Sequence, residues 1–349
     1  MSDRHHRNRI YLTFNYPNAV SGSKTLLTGI RGEDDGEILY ITGFYEPPSG
    51  KTISFLYKGD ITGVTGPCSD NSWNLLNYPS SPGVTVNATN LYSPFVVDDC
   101  PNIVRVVGNY TTVEAGTQTF GCMYEGPLDG SGRWITLKPT LDTINVIAHS
   151  THGDLVVGNY TTGVGFGRAF IYDVNTHKYH DIIKPEAKSI TAYGIWNNGC
   201  NSYTICGGFS NLTPGAGIKD SAVDRTEFDL VAGVDAGYLV DWNNKTHKLS
   251  NWREYRYNNQ KAAITHFDGI TSDERGGYNL TGDATVLPQG NIAFFANVNR
   301  HDVAKWEQIQ FPESVATSGN SVYQNTVIGV YTDSDSVGPA VNGYISLVI

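Results

Sequence analysis

Five side chains able to donate protons, accept them or stack on a ring fall in short β-type runs of this 349-residue chain: His149, Tyr193, Trp196, His266 and Asp268. The runs are "NVIAHST", "SITAYGI", which Trp196 directly follows, and "AAITHFDGI". Imidazole titrates near neutrality and a phenol or carboxylate beside it can orient it. His149, Tyr193, His266 and Asp268 are therefore the candidates for general acid or base catalysis, and Trp196 offers a stacking face. Related runs contribute Thr28, Asn87, Asn90, Ser150, Ser318 and Asn320. Of these, Asn90, Ser318 and Asn320 are read as substrate-binding groups. His149 and His266 have no ligand spacing behind them, so neither a metal nor any other cofactor is expected.

These groups serve one site only if the chain brings their runs together, and an internal repeat says how. Val-Val-Gly-Asn-Tyr-Thr-Thr occurs twice, ending at Thr112 and at Thr162. Weaker copies of apolar-x-Gly-x-aromatic are "ILYITGFYE", "YTICGGFSN", "YNLTGDATV" and "TVIGVYTD", which makes six. A fourth run precedes each copy, a short β-type run follows it, and usually a third carries Trp or Tyr. The unit is four short strands, and a period of this size signals a propeller or an array. The 38 Gly and 21 Tyr, with β-branched and aromatic alternation, agree.

The chain is thus expected to be all-β, one six-bladed β-propeller of four-stranded blades over residues 1–349, with residues 1–10 a polar tail. Five blades is the alternative if the unit from Ser189 to Gln260 is miscounted. Innermost strands are predicted to start near Lys24, Val84, Ile144, Ser189, Lys261 and Ser314. The last unit supplies three strands, and "NRIYLTFNYPN" matches the missing outer one, so the ring closes with strands from both ends. The innermost strands line the central channel. Their polar groups differ from blade to blade, which suits one asymmetric site better than a sugar site repeated in each blade.

One insertion, Leu212 to Asp235, is longer than the other connections and emerges on the channel-mouth face; Lys219, Arg225, Phe228 and Leu230 suit a cover for an apolar ligand, with Arg225 and Phe228 as contacts. Asp34 with Asp35 and Asp98 with Asp99 are read as solvated turn carboxylates rather than calcium loops. Net charge is -10 without a basic cluster, which excludes nucleic acid as a partner, and no apolar stretch of membrane-spanning length occurs. Expected partners are apolar small molecules, with a homo-oligomer left open. Five Cys suggest Cys200 with Cys206 and Cys68 with Cys100, leaving Cys122 free, in a secreted protein or one of the secretory pathway; the alternative is five reduced thiols, as in a cytoplasmic protein. Six Asn-x-Ser/Thr sequons (Asn87, Asn109, Asn159, Asn211, Asn244, Asn279) are no more than composition produces.

There is no Gly-x-Ser-x-Gly, phosphate-binding loop or nucleotide fingerprint. The phrases "TAYGIWNNG", "GGF" and "GYLVDWN" resemble extracellular bacterial and fungal propeller repeats, which implies fold. Within that set the length, irregular blades and single long loop resemble the fungal hetero-Diels-Alderases of tropolonic sesquiterpenoid biosynthesis. That resemblance implies a cofactor-free pericyclase joining a tropolone quinone methide to a humulene-type alkene, and assigns no residue. The alternatives are a secreted carbohydrate-binding propeller, with Trp73, Trp134 and Trp306 as sugar platforms, or a polysaccharide-acting hydrolase or lyase.

Overall fold

The computed structural model describes residues 9–17, 19–33, 38–60, 73–97, 103–163, 165–211, 235–261, 263–333 and 338–348. They form six antiparallel sheets, and the six blades, not five, make a β-propeller. The first blade has β2 (Lys24–Gly32), β3 (Leu39–Glu46), β4 (Ile53–Gly59) and β5 (Trp73–Leu75), after an opening strand β1 (Arg9–Thr13). The second has β6 (Val86–Val96), β7 (Val104–Thr112), β8 (Thr119–Gly126) and β9 (Arg133–Leu137). The third has β10 (Thr143–His152), β11 (Leu155–Thr162), β12 (Gly167–Asp173) and β13 (Lys178–Ile182). In the fourth, β14 (Ser189–Ile190) and β15 (Gly194–Gly199) share the innermost position, followed by β16 (Ser202–Ser210), β17 (Asp235–Asn243) and β18 (Lys248–Tyr255). The fifth has β19 (Ile264–Ser272), β20 (Tyr278–Val286), β21 (Gly290–Val298) and β22 (Ala304–Ile309). The sixth has β23 (Ser314–Tyr323), β24 (Thr326–Asp333) and β25 (Asn342–Val348), and β1 completes it from the other end of the chain. The expected innermost starts agree within three residues.

Six apolar clusters hold the ring, one at each junction between neighbouring blades. The first blade meets the second through Tyr40, Leu56, Leu91 and Val106, and the sixth meets the first through Ile328, Ile345, Leu27 and Phe55. Because both faces of a blade are covered, strands such as β3 are buried almost throughout rather than at alternate positions. Trp73, Trp134 and Trp306 belong to these clusters: Trp73 lies 4.9 Å from Phe55, Trp134 5.1 Å from Tyr124 and Trp306 5.0 Å from Phe294. They pack the blades and are not sugar platforms.

The expected Cys200–Cys206 bridge is absent. Cys206 lies in β16 opposite Gly194, buried, with its thiol directed at the Phe267 carbonyl, whereas Cys200 sits exposed in the hairpin turn. A pair flanking a tight turn in sequence was carried to different depths by the strand register. Cys122 is free and buried, as expected, while Cys68 and Cys100 lie outside the described residues. Among the sequons, Asn87 and Asn211 have exposed side chains, but Asn109 and Asn279 are buried. Among the described residues no helix is long and apolar enough to cross a membrane.

Candidate functional site

Every innermost strand carries an extra residue at the same place, and β6, β10 and β23 slip a second time near their starts. The register slips between Leu27 and Gly29, Leu91 and Ser93, Ala148 and Ser150, Phe267 and Gly269, and Gly319 and Ser321. In the fourth blade, Ile190 faces Phe209 and Gly194 faces Cys206, so four steps on one strand meet three on the other. The bulged residues are Thr28, Tyr92, His149, Tyr193, Asp268 and Asn320. A bulge re-aims the side chain it carries. All six, one from each blade, line a single cavity of ≈ 210 Å³ together with Leu26 and Phe44.

The sequence repeat exists for these bulges. Its invariant glycines, Gly43, Gly108, Gly158, Gly207, Gly282 and Gly329, lie in the second strand of each blade. A Cβ on any of them would come within 1.9–2.3 Å of a main-chain carbonyl oxygen of the innermost strand, two residues before the bulge. Only glycine leaves room for that approach.

Within the cavity, His149 meets Tyr92 edge-on at 4.9 Å and Tyr193 at 4.6 Å between ring centroids, and Tyr193 lies 5.9 Å from His266. Thr28 Oγ1 reaches the Leu91 carbonyl at 2.5 Å, and Asn320 Nδ2 donates to the Leu27 carbonyl at 2.6 Å, so bulged side chains also tie neighbouring blades. His266 Nε2 and Asp268 Oδ2 are 3.2 Å apart. Asp283 faces His266 from β20; its Oδ2 accepts from Ser318 Oγ at 2.5 Å and its Oδ1 from Gly319 N at 3.5 Å.

Burial governs the protonation states. It lowers His149 to about 3 and raises Tyr92 to about 12. Tyr193 is raised to about 12 by burial and then by the Asp268 charge. For His266 burial opposes the charge, but Asp268 outweighs it and holds the imidazole up at about 9. Asp283 is raised to about 7 by burial and by Asp268. Three hydrogen-bonding rings of the wall, Tyr92, His149 and Tyr193, are thus neutral around pH 7, beside one charged corner.

Of the site residues expected from sequence, His149, Tyr193, Asp268 and Asn320 line the cavity, and His266 and Ser318 adjoin it. Asn90 lies two positions before the bulge, half-buried, and is not part of the lining. Trp196 is elsewhere. Three positions beyond the bulge, it packs on His152 at 4.5 Å and under the Arg31 guanidinium at 5.7 Å. Arg31 is buried and extends from the first blade to the Ile195 carbonyl of the fourth, across the ring, with a further bond to Ser150 Oγ. It pairs with no carboxylate among the described residues, and burial lowers it to about 10. This layer crosses the channel, so the site is a cup rather than a tube. Arg225 and Phe228 lie outside the described residues, as do the pairs Asp34 with Asp35 and Asp98 with Asp99. Ser210, just before the insertion, and Asp235, its last residue, pair at the mouth end of the fourth blade.

Tyr92 and Asp283 were not foreseen. A signal for Tyr92 was present: every bulged residue is followed by Gly or Ser, as in Thr-Gly, Tyr-Ser, His-Ser, Tyr-Gly, Asp-Gly and Asn-Ser. Asp283 directly follows a repeat glycine and reaches the site through cross-strand pairing, for which the innermost runs alone hold no cue.

Acid sensitivity follows from the buried imidazoles. His149 is lowered in the fold, as is His152, so the unfolded chain takes up protons near pH 6.5 that the fold refuses. The stability these two imidazoles contribute is therefore lost as pH falls from about 6.5 toward 3. At pH 4.5 His149 alone costs about 3 kcal/mol, at 1.36 kcal/mol per unit. The raised Asp283 and His266 act in the opposite direction over the same range, so the test is the difference between two proteins: relative to the parent, His149→Gln is expected to have a higher urea midpoint at pH 4.5 than at pH 7.5, and an unchanged difference would refute the assignment.

No family model and no curated protein matches this chain. Solved structures do. A luciferin-regenerating enzyme shares 12% identity at a TM-score of 0.52, over 97% of this chain and 95% of that one. A protein of unknown function from Dyadobacter fermentans shares 9% at 0.57, over 97% and 98%. Trypanosoma rangeli sialidase in complex with the inhibitor DANA shares 10% at 0.52, over 98% of this chain and 59% of that one. At these identities the likeness is one of fold.

Proposed function

We propose that this propeller is a single-site enzyme for ring-containing, largely apolar small molecules, and that its reaction is the hetero-Diels-Alder joining of a tropolone quinone methide to a humulene-type alkene. The observation that supports a single site is the convergence of six unlike bulged side chains on one cavity. A lectin with one sugar site per blade would repeat one set of side chains, and Thr, Tyr, His, Tyr, Asp and Asn do not repeat. The particular reaction rests on the resemblance in length and blade pattern described above.

The cavity suits the polar reactant. At ≈ 210 Å³ it is smaller than the roughly 300–1,000 Å³ of drug-sized sites, so it would seat one compact ring and leave the hydrocarbon partner toward the mouth. Tyr193 and Tyr92 keep their protons at neutral pH, so each can donate a hydrogen bond to a tropolone oxygen and make the heterodiene a better electron acceptor. His149, neutral and held between them, fixes both rings. A cycloaddition needs no covalent help from the protein; holding two reactants in a near-attack pose lowers the barrier by several kcal/mol on its own.

The test is chromatographic, following the cycloadduct from a hydroxymethyl-tropolone precursor and humulene with and without protein. Tyr193→Phe and His149→Ala are each expected to reduce turnover roughly tenfold or more at neutral pH, the loss of a single oriented donor being worth a few kcal/mol at most. Equal rate and stereochemistry without protein would end the enzyme reading, and full activity in both variants would move the site elsewhere.

A further inference from the structure

We propose that His266, Asp268 and Asp283 bind one divalent transition-series cation in the wall of this cavity, where two vicinal oxygens of the tropolone complete its coordination. The second clause rests on the functional reading above; the first stands on geometry and replaces the expectation of a cofactor-free site.

One ligand atom from each of the three residues lies within 4.8 Å of the other two. The fold brings them together through one cross-strand pair, His266 with Asp283, and through Asp268, two positions on from His266 at the bulge, whose carboxylate lies 3.2 Å from the imidazole.

The surroundings are rich in acceptors, and the positive charge beside them is that of His266 itself, whose proton a bound cation would replace. Among the described residues Asp268 has His266 as its one partner, and Asp283 is met by a hydroxyl and a main-chain N–H. No Lys or Arg pairs with either carboxylate among the described residues. Asn320 commits its amide nitrogen to the Leu27 carbonyl, so its Oδ1 faces the Ser318 hydroxyl and adds a further acceptor. Arg31, the buried cation of the channel, is spent on main-chain carbonyls and Ser150 in the next layer. Two carboxylates and an imidazole gathered in a half-buried corner can exchange the imidazole proton for a cation.

The donor set selects the kind. Imidazole nitrogen with two carboxylates suits zinc or manganese, whereas calcium and magnesium favour oxygen alone. Three protein ligands leave positions open, the pattern of a site that binds substrate rather than one that only supports the fold. Asp268 lines the cavity, so the open side faces a bound ligand. Adjacent oxygens on a seven-membered ring form a five-membered chelate with such an ion, which would draw electron density from the ring's carbonyl.

The full chain, stripped with a chelator, is titrated with Mn²⁺ and the free-ion electron paramagnetic resonance signal is followed, with Zn²⁺ measured by calorimetry. One equivalent is expected to bind. Asp268→Asn and Asp283→Asn should each weaken binding roughly tenfold or more, since even supporting groups around a metal are worth that much, and Asp142→Asn on an exposed turn should change nothing. Should Asp283→Asn fail to fold, Asp268→Asn on the cavity side carries the comparison. Tropolone added to the Zn²⁺-loaded protein should show the shifted absorbance of its chelate, and not with Asp268→Asn. Binding no tighter than in a folded Asp268→Asn variant would overturn the site, and one equivalent of metal without the tropolone shift would overturn the substrate clause. Neither titration contains an alkene, so failure here is separable from failure of the cycloaddition; full turnover by stripped protein would exclude the cation from the reaction while upholding the reaction itself.

Discussion

Removal of residues 9–17 is expected to leave no soluble, cooperatively melting protein. Arg9 to Thr13 pair with Val348 to Tyr344 as the outer strand of the sixth blade, so their loss exposes the edge of β25. Phe14 is buried, stacks at 5.2 Å on Trp73 of the first blade and donates its main-chain N–H to the Gly343 carbonyl of the sixth. Tyr16 stacks on Tyr45 and Phe55. One segment thus completes one blade and fastens it to the next, at the only junction where the ring is joined by both ends of the chain. Phe14→Ala alone should cost about 3–5 kcal/mol, as for a large aromatic removed from a packed core. Appending residues 9–17 after Ile349 through a short turn would restore the blade in ordinary strand order. Such a permutant is expected to be soluble but lower-melting, because packing alone then closes the ring. A truncated chain that stays soluble with an unchanged thermal transition would show that the closure contributes little.

Gly158→Ala is expected to destabilise by at least about 3 kcal/mol, at the upper end of the range for overpacking and beyond it if the inner strand cannot shift. A Cβ there would lie 2.2 Å from the Ile147 carbonyl oxygen, 2.8 Å from Ala148 Cα and 2.8 Å from Phe170 Cζ. Two of the three are backbone atoms of the strand that carries His149, so relief of the clash must move the bulge. The variant should therefore lose ligand binding as well as stability. Gly163→Ala, with no atom within 4 Å of the added Cβ, is the control and should melt with the parent. Urea denaturation of the three proteins decides it. A Gly158→Ala midpoint equal to that of Gly163→Ala would remove the link between the repeat and the bulge.

Much of the architecture was legible because propeller strands announce themselves locally. Apolar-x-Gly-x-aromatic marks the second strand of five blades, with Ala284 in the aromatic place in the fifth, and the strand count at the two ends fixed how the ring closes. The candidate residues were legible in part. His149, Tyr193, Asp268 and Asn320 were found by asking which polar groups the innermost strands carry. Trp196 was assigned to the site although the strand takes it one layer deeper, and Tyr92 was passed over in favour of Asn90, two positions away. Side chains alternate along a strand, so a single extra residue transfers everything beyond it to the other face, and which inner-strand residue faces the cavity depends on where each strand bulges.

By itself, then, the sequence determined blade number, strand order and the blade in which each polar group resides, because those follow from hydrophobic pattern and turn residues within a few positions along the chain. It held the glycines of the bulges without disclosing their purpose, since the atom each must accommodate is a carbonyl of another strand. Only the tertiary structure decided which side chains meet. Asp283 comes to His266 across a ladder, Arg31 crosses from the first blade to the fourth, and Cys206 is turned away from Cys200. Each of these depends on register and on ring closure, distances set by the whole ring and not by any neighbour in sequence.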